Sequence, residues 1–189
     1  MKRGTWFAVL PACLLGAALL AHIVGNRLAP ASGTKQFAAG QLRFDYPASW
    51  TITRDDRLED FQQVMLMAPT LEFCIVRRVH SDRPPTTREF ATEFSKEGAT
   101  AALEALGDAA PGLAELVVEE PVHGFEHLTR KNVSGLVGAL APSIDHYLSK
   151  RVGDEWIFIT YSHDAQAHRG ILSAFDLITR TAAIRDPEG

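Results

Sequence analysis

The sharpest chemical signal in the sequence is His123-Gly124-Phe125-Glu126-His127, which fits the H-x-x-E-H spacing of one class of zinc peptidases. That chemistry needs both imidazoles on one metal, one helical turn apart, with the carboxylate beside a bound water. Pro121 and Gly124 work against a helix here, and strand-like runs lie on either side. On a strand, positions four apart are about 13 Å from one another, too far to share a zinc ion. The residues therefore read as ordinary polar positions at a hairpin or bulge.

The other reactive side chains give weaker signals. Cys74 lies amid Phe73, Ile75 and Val76, the setting of a buried small apolar residue rather than a nucleophile. Glu119 and Glu120 are adjacent, and neighbours on a strand point to opposite faces, so they cannot flank one bond. Arg77-Arg78 and Arg130-Lys131 are basic pairs without interleaved aromatic residues, which reads as solvated faces. Nucleophile elbow, P-loop and Rossmann glycine run are all missing from the sequence. Asn132-Val133-Ser134 matches a glycosylation sequon that matters only on a eukaryotic secretory route. An enzyme would have to assemble its site from residues distant in sequence, such as His146, Glu155 and His163. No catalytic, cofactor-binding or metal-ligating residue is assigned, and no cofactor is expected.

The elements that must position these residues follow from periodicity and turn chemistry. Short strands are expected over Leu42–Tyr46 and Trp50–Thr53, separated by the turn Tyr46-Pro47-Ala48-Ser49. Phe61–Met67 and Leu71–Val79 read as a hairpin; Phe73, Ile75, Arg77 and Val79 share one face, and Cys74, Val76 and Arg78 the other. Thr86 with Glu89 forms a capping box that opens a helix, and Gly107 is its stop. A linker over 108–112 leads to strands at Leu116–Val122, Phe125–Val133, Ile144–Val152 and Trp156–Ser162, with Gly153-Asp154 a tight hairpin turn. The last strand is largely apolar on both faces, which places it centrally, covered on both sides. A helix from about Asp164 to Thr181 closes the chain, with Ala167, Ile171, Phe175 and Ile178 on one stripe. Strands separated by one helix and closed by another describe an α+β sandwich.

The amino end has a different character. Lys2 and Arg3 precede an uncharged apolar run from Thr5 to Gly25, long enough as a helix to cross about 30 Å of hydrocarbon. Residues 1–25 thus read as a signal anchor with its amino end in the cytoplasm. The alternative is a signal peptide cleaved after Ala29-Pro30-Ala31. Leu10-Pro11-Ala12-Cys13 loosely matches a lipoprotein box, but the apolar run continues past Cys13, and His22 near the outer end can reach the interface. Residues 26–36 read as a linker, 37–185 as one domain and 186–189 as a tail. The 189-residue chain carries a formal charge of −4, and removing residues 1–33, with their three cations and no acid, leaves −7 on the remainder. An acidic surface does not suit a phosphate backbone, so no nucleic-acid partner is expected.

Phe44-Asp45-Tyr46-Pro47-Ala48-Ser49-Trp50-Thr51-Ile52 resembles the opening strand, proline turn and tryptophan of the PsbP-like superfamily, in its bacterial envelope branch of DcrB-type proteins. The order of hairpin, Thr-capped helix, strands and closing helix after Tyr161-Ser162-His163-Asp164 extends the resemblance over nearly all of residues 37–185. The resemblance implies a PsbP-like α-β-α sandwich around an antiparallel sheet flanked by helices, here preceded by one membrane-spanning helix. It further implies binding or assembly roles without a shared catalytic set. The expected function is that of a non-catalytic, membrane-tethered envelope protein acting through contact with an envelope protein partner. Its domain would face the periplasm or exterior from the inner membrane, or be secreted or periplasmic if the leader is cleaved. The alternatives are a carrier of a small apolar ligand and an enzyme with a dispersed site.

Overall fold

A computed structural model describes residues 33–106, 115–132, 143–164 and 169–185. The anchor, the Asp108–Gly112 linker, Gly107, most of the sequon and the tail lie outside the described residues. Among the described residues no helix is long and apolar enough to cross a membrane. The strands are β1 (Thr34–Ala39), β2 (Leu42–Pro47), β3 (Thr51–Leu58), β4 (Phe61–Met67), β5 (Phe73–His80), β6 (Leu116–Val118), β7 (Glu126–Asn132), β8 (Ser143–Val152), β9 (Glu155–Asp164) and β10 (Ala183–Ile184). The helices are α1 (Thr87–Leu106) and α2 (Arg169–Thr181).

Seven strands form one antiparallel sheet in the order β3-β4-β5-β9-β8-β7-β6. β9 is central, as its two apolar faces require. On one face Phe158, Tyr147 and Leu128 pack with Phe90 and Ala91 of α1. On the other, Cys74, Val76, Leu148, Ile157 and Ile159 pack with Ala174, Phe175 and Ile178 of α2. The expected α+β sandwich of antiparallel sheet and flanking helices is present.

A second, three-stranded sheet in the order β1-β2-β10 shares the α2 side, placing Phe37, Leu42 and Phe44 in the same core. The two opening strands thus belong to different sheets, because the Pro47 turn, closed by Trp50 N–H donating to the Pro47 carbonyl at 3.0 Å, redirects the chain. β1 begins at Thr34, inside the stretch read as linker. Gln62 of β4 ties the sheets together, donating to the Ala39 carbonyl at 3.0 Å and accepting from the Gln41 N–H at 3.1 Å. That contact needs Gly40 in the intervening turn: its φ is +58°, and a Cβ there would lie 2.4 Å from Gln62 Oε1.

The capping box forms, with Thr86 N–H donating to Glu89 Oε2 at 2.8 Å and Glu89 N–H to Thr86 Oγ1 at 3.2 Å. Burial departs from expectation at the basic pairs. Arg78 is buried, its Nε 2.9 Å from Glu155 Oε2 and both of its terminal nitrogens 3.2 Å from the Glu59 carbonyl. Arg77 lies over the Phe90 and Phe94 rings at 5.4 and 5.2 Å, and Arg130 is buried too. Of the four, Lys131 is the solvated residue that the sequence suggested. At the carboxyl end β9 runs on to Asp164, and α2 is described from Arg169. The aromatic-rich strand outcompetes helix initiation at Asp164.

Trp50 is 4% exposed and meets the Phe175 ring edge-on at 5.5 Å, joining the proline turn to α2. Trp50→Ala is expected to lower unfolding stability by about 3–5 kcal/mol, a large part of the roughly 5–15 kcal/mol typical of a domain. A denaturant titration of the mutant checks this; an unchanged midpoint would contradict Trp50 as a core anchor.

Candidate functional site

The described residues bring three histidines from three neighbouring strands into one row. In the register of β7, β8 and β9, Thr129 opposes His146, His146 opposes Tyr161, and Ile144 opposes His163. Alternation puts His127, His146 and His163 all on the face covered by α2. His127 Nε2 lies 2.8 Å from His146 Nδ1, and His146 Nε2 lies 2.9 Å from His163 Nε2. The row ends at His163 Nδ1, which donates to the Asp164 carbonyl at 2.7 Å.

The rings meet edge to edge. Centroid separations are 5.1 and 5.0 Å with planes inclined by 16° and 29°. Those separations are close to the N···N gaps plus two ring radii, so the imidazoles form a nearly coplanar ribbon. Tyr161 stacks on His146 at 4.4 Å, and Phe175 stacks on Tyr161 at 4.0 Å, so α2 reaches the ribbon through two aromatic planes.

Burial sets the ribbon's electrostatics. The His146 pKa is pushed down to about 3, first by desolvation and then by the neighbouring imidazoles, and that of His127 is lowered mainly by desolvation. Two influences act the other way on His127, a hydrogen bond to the Glu120 main chain and the charge of Glu119. Burial likewise raises the Tyr161 hydroxyl and the Cys74 thiol above their usual ranges. On the opposite face, Tyr147, bonded to Ser95 at 2.8 Å, is pushed up to about 12 by burial.

The H-x-x-E-H residues divide among three partners. His123 and Gly124, at φ +52° and +79°, make the two-residue turn between Val122 and Phe125, a turn that demands positive φ at both positions. His123 Nε2 reaches Asp176 of α2 at 2.7 Å, pinning the turn to the helix. Glu126 points to the α1 face, where Thr87 bonds it, and His127 joins the ribbon. Among the described residues no group of three or more His, Cys, Asp or Glu side chains is placed to hold a metal ion.

Of the dispersed trio, His146 and His163 come together, whereas Glu155 lies at the other end of β9 beside Arg78 and His80. Glu155 and His163 are eight positions apart on the strand, roughly 26 Å. Cys74 is fully buried, opposite Tyr161. Glu119 accepts from Thr129 Oγ1 at 2.6 Å. Sequence reading missed the membership of His127, because it follows only from the β7–β8 register. The parity of His146 and His163 about the β8–β9 turn held the remaining signal: counted back and forward from Gly153-Asp154, both fall on one face.

No family model and no curated protein matches the chain. Among solved structures, it is similar to a protein of Bacteroides thetaiotaomicron at 9% identity and TM-score 0.48, covering 82% of this chain and 50% of that one. It is also similar to LpqN of Mycobacterium tuberculosis, a protein involved in cell envelope biogenesis, at 10% identity and TM-score 0.41, covering 82% and 91%. A third is the cyanobacterial PsbP, CyanoP, of Synechocystis, at 13% identity and TM-score 0.45, covering 83% and 98%. A PsbP stands among them. The chain spans half the length of the Bacteroides protein.

The depressed histidines make stability depend on pH with a definite sign. Below about pH 6.5 the unfolded chain protonates His127 and His146, whose rings the fold holds toward the neutral form, so the unfolded state binds more protons and stability falls as pH falls. The loss should run from about 6.5 down toward the His146 value of about 3. Each such ring costs about 1.4 kcal/mol per pH unit, roughly 3–5 °C of Tm in a domain of this size. His146→Phe keeps a flat ring beside Tyr161 and should flatten that slope. Calorimetry of both proteins from pH 8 to 4 checks it, and a wild-type Tm that is level across the window would contradict the lowered His146.

Proposed function

We propose that the protein is a membrane-tethered, extracytoplasmic component of the cell envelope that acts by binding another protein rather than by catalysis. The observation that carries this reading is the amino-terminal pattern of Lys2 and Arg3 before an uncharged run from Thr5 to Gly25, joined to an acidic domain. Positive charge is retained in the cytoplasm, so the domain follows the apolar segment to the outside. The non-catalytic part is supported by where the reactive side chains go: Cys74 into the core, His123 to Asp176, and Glu155 to Arg78. A carrier role is less well supported, because Trp50, Phe175, Tyr161 and Ile178 fill the space between α2 and the sheet. Support for a contact role comes from β6 at the sheet edge, where Val117 and Val118 are 53% and 68% exposed. Exposed edges are templates for pairing with another chain.

A reporter that functions only after export, fused after Gly189, should be active and should sediment with membranes, and the mature protein should retain residues 1–25. A mature amino terminus at Ser32 would replace the tether with a cleaved leader, and an inactive reporter would overturn the extracytoplasmic placement. Co-purification of the tagged full-length protein from solubilised membranes should bring down one stoichiometric envelope protein, and lose it when Val118 is replaced by Lys with Tm unchanged.

A further inference from the structure

The two edges of the seven-stranded sheet differ in character. β3 carries Arg54, Asp55, Asp56 and Arg57 along its middle, and its register with β4 shifts between Ile52 and Arg54. Charges and bulges are features that keep an edge from pairing with another chain. β6 has neither. It consists of Leu116, Val117 and Val118, in continuous register with β7, and among the described residues no strand lies beyond it.

The direction of its main-chain groups follows from one hydrogen bond. Glu119 N–H donates to the His127 carbonyl at 3.0 Å, which turns the Glu119 main chain toward β7. Bonding direction alternates along an antiparallel strand, so Val117 turns inward as well, while the N–H and carbonyl of Leu116 and Val118 turn away from β7. Side chains divide between the faces. Val118 lies opposite Leu128 on the α1 face, and Val117 lies opposite Thr129 on the α2 face. A strand laid along β6 would therefore find main-chain partners and one exposed valine to cover on each face.

Charge around these valines narrows the choice of occupant. Glu115, Glu119 and Glu120 are all exposed beside them. Of the two cations of β7, Lys131 is exposed and Arg130 is buried. Three carboxylates thus face one free ammonium. A second copy of this edge would bring its own three acids against them, and like charges set opposite one another across strands are destabilising.

We propose that β6 is a site of strand addition, where an extended segment of the partner protein lies along Leu116–Val118 as an outer strand, apolar at its centre and lysine- or arginine-rich on both sides. The inference rests on the binding role proposed above and gives that role its ligand chemistry. Main-chain bonds to Leu116 and Val118 supply affinity, the valines select apolar residues opposite them, and the glutamates select cations.

The test adds the peptide acetyl-Lys-Lys-Val-Val-Thr-Lys-amide to 15N-labelled full-length protein in detergent micelles. The Leu116 and Val118 amides should shift and gain protection from hydrogen exchange, while the inward Val117 amide changes little. A twin peptide with Glu in place of each Lys should bind at least about tenfold more weakly. Val118→Pro removes one outward N–H without touching the β7 ladder, a place where an edge strand tolerates proline, and should abolish the shifts with Tm held. Should that variant fail to fold, the pattern of wild-type amides and the comparison of the two peptides decide. Equal binding of both peptides, shifts confined to other strands, or a Val118 amide already protected before peptide is added would overturn the proposal. Dimerisation through β6 in sedimentation would overturn it in favour of a second copy. An envelope protein that co-purifies equally well with Val118→Pro would overturn strand addition and leave the binding role standing. Peptide bound at β6 with no protein recovered from membranes would instead sustain the edge site and remove that role.

Discussion

The architecture depends on β9 having no polar face between Trp156 and Tyr161. A strand of that kind loses stability wherever it meets water, at about 25 cal/mol per Å2 of apolar surface left uncovered, so it must lie inside a sheet with a layer on each side. The flanking elements are shaped to that demand. α1 brings Phe90 to Phe158, with ring centroids 4.7 Å apart. α2 and the three-stranded sheet together cover Ile157 and Ile159 with Phe44, Phe175 and Ile178. One helix does not span the α2 side of a seven-stranded sheet, which is why β1, β2 and β10 are needed there as a second cover.

β9 meets polar surroundings at its two ends and resolves them in opposite ways. At Glu155 the charge is kept and paired: Arg78 supplies the counter-charge and the Glu59 carbonyl takes the remaining donors. Removing one partner of such a pair strands a buried charge, which costs far more than the pair contributes. The His163 end borders His146, and there charge is instead shed. Desolvation drives His146 toward its neutral form, and neutral imidazole can both donate and accept.

Much of this fold was legible in the sequence because the signals were local. The Thr86–Glu89 box, the Gly153-Asp154 turn and the alternation through Cys74, Val76 and Arg78 each rest on a few neighbouring residues. The burial of Arg78 was present in that alternation, since it shares a face with Cys74 and Val76; the reading as a solvated pair gave residue type more weight than parity. Assignment of β2 and β3 to separate sheets was not legible, because a proline turn can close a hairpin or redirect a chain with the same residues. The ribbon was legible only in part. Its members come from three strands, and whether rings touch depends on a register that pairs Thr129, not His127, directly with His146.

That diagonal offset also explains why imidazole serves in this row. Diagonal neighbours on adjacent strands stand about 7–8 Å apart at the backbone, and an imidazole with its donor and acceptor on opposite edges spans that gap when linked edge to edge. Ring centroids 5.1 and 5.0 Å apart leave nitrogens 2.8 and 2.9 Å from one another. A serine or threonine hydroxyl is too short to bridge this spacing, and a carboxylate or ammonium would bring a full charge to every strand it crossed. Because each ring's tautomer fixes that of the next, the row cannot be altered at one position alone. The Asp164 carbonyl holds hydrogen on His163 Nδ1, which leaves His163 Nε2 to accept from His146 Nε2 and His146 Nδ1 to accept from His127 Nε2, so the donors run in one direction across the three strands.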